Sequence, residues 1–185
     1  MGDTRTILRT GWLWGICAII SEVMMMLASH SMHRGLTAWF SFIYFEFIIA
    51  IVVITFTMHT WAFRAIGRKV QSTAISVTAT IVAVVNIFFG LSLLLSGIAY
   101  FLGYDFQERL TNGFIGIFLV LYVVVGLFFS VAILLRHRQI GILGVFGSGI
   151  VMGFPFGVWV GWPMIILLTL STLFFYRKSK EIGAS

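Results

Sequence analysis

Charge is the scarcest property of this chain. Only 10% of its 185 residues are Asp, Glu, Lys or Arg, against about a quarter in a soluble domain. Apolar residues make up 60%. A water-soluble protein of this size has too much surface for its volume to hide so much apolar area, so a soluble globular domain is excluded. Cysteine occurs once, at Cys17. That excludes an internal disulfide, a paired-cysteine redox centre and a zinc site built on several cysteines. A lone cysteine in an apolar run reads as a small buried side chain. Proline occurs twice, at Pro155 and Pro163, so most of the chain has no helix breaker. Also missing are a P-loop, a G-x-S-x-G elbow, an H-E-x-x-H pair and a T-V-G-Y-G filter. No residue is therefore assigned a catalytic role.

The few charges that are present are ordered. All of the 12 Lys and Arg residues except Arg34 and Arg109 fall into four short clusters. These are Arg5/Arg9, Arg64/Arg68/Lys69, Arg136/Arg138 and Arg177/Lys178/Lys180, and they sit at alternate ends of long uncharged stretches. Cytoplasmic loops of membrane proteins are enriched in Lys and Arg. The spacing predicts an all-α, multi-pass protein of the cytoplasmic membrane with both termini in the cytoplasm. The net charge of +6 does not point to nucleic acid, because the basic residues are divided among helix ends instead of gathered on one face. Attraction to the anionic headgroups of the lipid bilayer accounts for them. The first apolar stretch resembles a signal peptide, but Glu22 interrupts it and no A-x-A site follows, so it reads as a retained span. The opening M-G-D-T-R-T fits a loose myristoylation pattern, which adds little to a chain anchored by several helices.

A spanning helix needs about 20 mostly apolar residues. Runs at 7–29, 37–63, 70–102 and 113–135 satisfy this, with an external loop at about 103–112. The uncharged stretch 139–176 would be roughly 57 Å long as one helix, too long for a single crossing of a core about 30 Å thick. One crossing would leave seven basic residues inside and five outside, and two crossings give ten and two. The second arrangement obeys the charge rule better. The expectation is a single domain of six crossings, with a short fifth helix at 139–152, a turn at G153-F-P-F-G157 and a sixth helix at 156–176 opened by Pro163. Trp12, Trp14, Trp61 and Tyr176 then mark one interface, and Trp39, Tyr100, Tyr104, Trp159 and Trp162 the other.

The third run carries a packing code. Ser76, Ala83, Gly90 and Gly97 recur every seven residues, and Ser72, Ala79 and Asn86 form a second series. Small residues let helices approach closely in lipid, and a seven-residue period keeps them facing one partner. The seam places this helix at the bundle centre. Gly149, Gly153, Gly157 and Gly161 are spaced by four, and Gly126 with Ser130 forms a further small pair. All three patterns read first as packing within the chain, and second as contacts for self-association or for other membrane subunits.

Charged side chains inside spans are functional candidates by default. Two qualify, Glu22 and Glu46. The first hairpin turns near Arg34, 12 residues from each, which predicts equal depth. If the two carboxylates face each other they cannot both ionise without a cation. Together with Asn86 they are the proton- or cation-binding candidates, with Tyr44 and Tyr122 near the same polar interior. The bland reading is that each glutamate is neutral and hydrogen-bonded, tying helices together, with Ser21, Ser29, Ser41 and Asn86 as partners. His30 and His33 at the mouth of this hairpin could complete a nitrogen/oxygen site for a divalent metal. Solvated interfacial histidines are the commoner case, and no other cofactor is implied. His59 and His137 show no matched axial partner for haem. Met24-Met25-Met26 points in three directions on a helix, which suits packing better than copper.

Three functions follow. The first is a non-catalytic accessory or assembly subunit of a larger membrane complex. The second is a small proton- or cation-coupled transporter using Glu22 and Glu46. The third is a membrane-embedded, metal-dependent enzyme.

Overall fold

The computed structural model describes residues 4–31, 38–101, 105–160 and 162–183. Every regular element among them is an α-helix. In chain order these are α1 (Thr4–Ser31), α2 (Ala38–Lys69), α3 (Thr73–Phe101), α4 (Asp105–Leu135), α5 (His137–Ile140), α6 (Ile142–Val160) and α7 (Trp162–Gly183). Four stretches, Thr6–Leu27, Glu46–Lys69, Thr73–Ala99 and Gly116–Leu135, are long and apolar enough to cross a membrane. The chain is a multi-pass membrane protein. Its outward faces carry Ile20, Leu27, Phe47, Ile54, Leu95 and Phe128, all exposed, which is stable where the solvent is hydrocarbon.

The six long helices close into a ring. α2 lies between α1 and α3, α4 between α3 and α6, and α7 between α6 and α1. Each buried stripe repeats at i, i+4, i+7 and i+11, the period of one helix face. On α1 the stripe is Gly11, Gly15, Ala18 and Glu22, and on α7 it is Met164, Leu168, Ser171 and Phe175. At the end that carries Arg64, Lys69, Arg136 and Lys178, called here the basic end, four aromatic rings meet inside the ring. Phe63 stands edge-on to Phe129 at 5.4 Å and to Phe175 at 4.9 Å, with Phe174 stacked at 6.3 Å. Edge-to-face rings at such distances attract beyond simple burial. They plug the basic end.

The α2–α3 junction at that end is a Schellman motif. The Ser72 amide donates to the Gly67 carbonyl at 2.7 Å and the Gln71 amide to Arg68 at 3.2 Å. Gln71 takes φ of 52°, the left-handed conformation usually given to Gly or Asn. Ser72 caps α3 by accepting the Ile75 amide at 3.4 Å.

Several expectations are corrected by these elements. The 103–112 loop is helical from Asp105 onward, as the first turns of α4. The turn placed at 153–157 is not there: α6 runs without interruption from Ile142 to Val160, through Pro155. A proline inside a membrane helix removes one hydrogen bond without ending the helix, and α7 begins at Trp162. Pro163 does stand in the first turn of α7. α3 is not central. It has α2 on one side and α4 on the other, and Val77, Ile81, Val84, Leu91 and Leu95 face outward. The seam does what its period implies on one face: Ser76 meets Gly67, Gly90 meets Val53 and Gly97 meets Glu46, all on α2. Small residues at close spacing specify one tight contact, and in lipid the opposite face needs none. Cys17 is exposed, not buried.

Candidate functional site

Polar side chains inside the ring form a line that runs from the far end towards the aromatic plug. Glu46 is outermost. Its carboxylate packs against Gly97 so closely that a Cβ there would land on it, and its Oε2 is buried with no hydrogen-bond partner. Glu22 continues the buried stripe of α1 and is itself buried. Among the described residues no cation pairs with either glutamate.

The next level holds Asn86 and Tyr122. Both are buried, and the two side chains interact across α3 and α4. Because Gly90 stands against Val53, the residue of α2 level with Asn86 is Thr57. The Thr57 hydroxyl is buried and unpaired, as is that of Ser130 on α4.

Closest to the plug is His59, fully buried on α2. Its Nδ1 lies 2.9 Å from the Gly11 carbonyl on α1, and its Nε2 lies 2.8 Å from the Ser171 hydroxyl on α7. A carbonyl only accepts, so Nδ1 carries hydrogen and donates to Gly11. In the neutral ring Nε2 is then the acceptor, and Ser171 donates to it. The ring also stands edge-on to Phe175 at 5.2 Å. Room for the imidazole exists because residue 15 is glycine: a Cβ there would strike both Thr172 Oγ1 and the His59 ring. One side chain thus joins three helices far apart in sequence.

No family model matches the chain, and comparison with curated proteins and with solved structures finds no match. What this line can do is therefore argued from its chemistry. It offers two carboxylates without a counter-charge among the described residues, an amide–phenol pair and an imidazole–hydroxyl pair. These are groups that accept, hold and pass on protons, or that surround a small cation with oxygen.

The sequence candidates separate in the folded chain. Glu22 and Glu46 do not share a depth. Ser21 hydrogen-bonds Thr55 at 3.1 Å, so Glu22 is level with about residue 54. Glu46 is then about eight residues farther out, or roughly 12 Å along the helix. The antiparallel contact of α1 and α2 is centred several residues beyond Arg34, which moves the match away from the symmetric estimate. Ser21 is not a partner of a glutamate, because it is committed to Thr55 and to the Ala18 carbonyl at 2.9 Å. Asn86 is buried on α3 beside Tyr122 of α4. Tyr44 does not join it and faces outward. Of the proposed metal ligands, His33 lies outside the described residues, and His30 is in α1 with its side chain outside them. No cluster of three His, Cys, Asp or Glu residues occurs among the described residues.

His59 is the residue that sequence reasoning missed. Its partners are a backbone carbonyl, which any residue supplies, and a serine 112 positions away. The available signal was the Gly11–Gly15 pair one turn apart on α1, which marks a close approach by some bulky side chain.

A second polar feature lies at the basic end. Lys69, Gln71, Gln139 and Lys178 surround a cleft of about 280 Å³ whose walls include Ile66, Val70 and Phe174. Glu181 bridges the two lysines, 2.9 Å from Lys178 and 3.8 Å from Lys69. The Lys178 hydrogen bond holds the Glu181 carboxyl below the usual carboxylate range against the opposing effect of burial, with smaller help from the charges of both lysines. All three side chains of this bridge are at least partly accessible to water, so it contributes little to stability.

Proposed function

We propose that this chain is a small proton- or cation-coupled membrane transporter in which Glu22 and Glu46 take up the cation. The observation that carries the reading is Glu22: a carboxylate buried on the inner stripe of α1 with no described counter-charge. Such a group is tolerated in lipid only as the neutral acid or with a cation beside it. Exchange between those two states is the elementary step of proton or cation carriage. Beyond Glu22 the Asn86–Tyr122 and His59–Ser171 pairs lie at successive levels towards the basic end, a few ångströms apart along the helix axis at helical rise, or about 1.5 Å per residue. The phenylalanine plug closes it, so passage requires those rings to part.

The reading includes a topology. α6 and α7 supply the fifth and sixth crossings. α6 has 19 residues and is roughly 28 Å long, about the thickness of the hydrocarbon core. The basic end then faces the cytoplasm, with both termini, and the membrane is the cytoplasmic one.

The test is flux in sealed proteoliposomes under an imposed potential, read with an interior pH dye and repeated with sodium and potassium. Wild type should exceed empty vesicles for one of these cations. Glu22→Gln keeps the shape but neither ionises nor carries a proton, and should cut the flux roughly tenfold or more. Wild-type flux equal to that of empty vesicles for every cation, or an unaffected Glu22→Gln protein, would sink the proposal.

The assembly-subunit reading keeps one observation in its favour. Gly113 and Gly116 on α4 have open space among the described residues where a Cβ would stand, which is room for a close contact with a helix of another chain. The seam on α3 and the glycines at the ends of α6 and α1 are already filled by this chain's own helices.

A further inference from the structure

We propose that the cleft at the basic end binds a phosphate group, brought by an anionic phospholipid headgroup or by a soluble phosphate, with Lys69 and Lys178 as charged ligands and Glu181 as a built-in competitor. This site is independent of the polar line and of the transport reading.

The chemistry of the walls selects the ligand class. The rim supplies two ammonium groups and two carboxamides, Gln71 and Gln139, and the walls are apolar through Ile66, Val70 and Phe174. Ammonium and amide hydrogens are donors for phosphate oxygens. An apolar wall beside them suits a group that carries hydrocarbon. Basic clefts between membrane helices are where lipid phosphates are held. The volume of about 280 Å³ is near the lower end for small-molecule sites, roughly 300–1,000 Å³, which fits a headgroup better than a large solute.

Charge points the same way. Lys69 and Lys178 face one carboxylate, so the cleft has one positive charge left over, and Arg68, Arg136, Arg138 and Arg177 lie close in sequence to its walls. The Lys178 side chain is 21% exposed and Glu181 54% exposed. The lysine is therefore set into the cleft, while the glutamate sits near the end of α7 and is free to swing away. A phosphate arriving from the lipid or the aqueous side replaces it on both lysines.

Gln71 is the second, independent sign. Its backbone is left-handed, φ 52°, at a Schellman position where glycine would be relaxed. Strain kept at a wall of a charged cleft has a use if the side chain does. Here that side chain is a double donor at the cleft lip.

The experiment uses the purified full-length chain in detergent, with native mass spectrometry and thermal unfolding as readouts. The probes are phosphatidylglycerol, phosphatidylcholine as the uncharged control, and inorganic phosphate. Retention of phosphatidylglycerol over phosphatidylcholine identifies the lipid source. Stabilisation by inorganic phosphate without lipid preference identifies the soluble source. In either arm Lys69→Gln and Lys178→Gln should each weaken binding about fivefold, and Glu181→Gln should tighten it. Gln71→Gly should raise the unfolding temperature yet weaken binding, two movements that a purely structural role would not combine. The proposal is overturned if neither charged probe binds, if the double lysine variant binds as wild type does, or if Glu181→Gln weakens binding.

Discussion

His59→Ala is expected to destabilise the bundle by about 3–5 kcal/mol, the range for losing a large buried side chain and its packing. The ring of His59 fills space between α1, α2 and α7, and its removal leaves a void that the neighbouring helices fill only in part. It also leaves the Gly11 carbonyl and the Ser171 hydroxyl without their partner. Two comparisons separate packing from hydrogen bonding. His59→Phe keeps the volume and loses both bonds, so it should lose about 1–3 kcal/mol, the penalty for buried polar groups left unpaired. Ser171→Ala removes one bond and leaves the other, and should lose about 1 kcal/mol. Unfolding of each variant in detergent, followed by helix content against denaturant or temperature, gives the ranking Ala, then Phe, then the serine variant. An alanine variant as stable as wild type would mean that the three-helix junction is not formed.

Gly147→Leu should do at least as much damage, by a different route. α6 and α7 approach most closely where Gly147 faces the backbone of Ser171: a Cβ would stand 2.7 Å from its Cα and 3.0 Å from its nitrogen. Backbone cannot rotate aside as a side-chain tip can. The helices must separate, and with them goes Ser171, the partner of His59. The loss should exceed the about 1–3 kcal/mol typical of overpacking, and little monodisperse protein should be recovered after extraction. Gly149→Ala is the matched control. The atom nearest its added Cβ is a leucine methyl at 3.2 Å, which can give way, so a change within about 0.5 kcal/mol is expected. Equal recovery of the two variants would contradict the α6–α7 register.

That register also shows which parts of the fold could be read from the sequence. Of the series spaced by four, the surroundings of Gly153, Gly157 and Gly161 lie outside the described residues and Gly149 meets only the Leu167 methyls, the nearer at 3.2 Å, whereas Gly144 and Gly147 meet α7 tightly. Glycine counts where the partner's backbone passes, and that depends on rotation about the helix axis, which spacing alone does not set. The seven-residue series on α3 was legible because Ser76, Gly90 and Gly97 repeat at one period against a single neighbour. The charge clusters were legible because water and lipid sort ionised groups before any packing occurs. The depth of Glu22 against Glu46 was not. Counting from a turn assumes that both helices leave it symmetrically, and the Ser21–Thr55 contact shows a displaced match. His59 was invisible for a related reason. A site assembled from one carbonyl and one serine on distant helices leaves no local motif, only the space that Gly11 and Gly15 provide.

The account rests on all the basic clusters lying at one end of a ring that lipid surrounds. With Cys17 replaced by serine, single cysteines at Gln71, Gln139 and Lys180 can be labelled in sealed, oriented vesicles with a reagent that does not cross the membrane. All three should react from the same face, the cytoplasmic one in the topology proposed above, and be protected from the other. Reaction of position 180 from the face opposite to position 71 would mean an odd number of crossings between them, and the ring, its polar line and its basic cleft could not be as described.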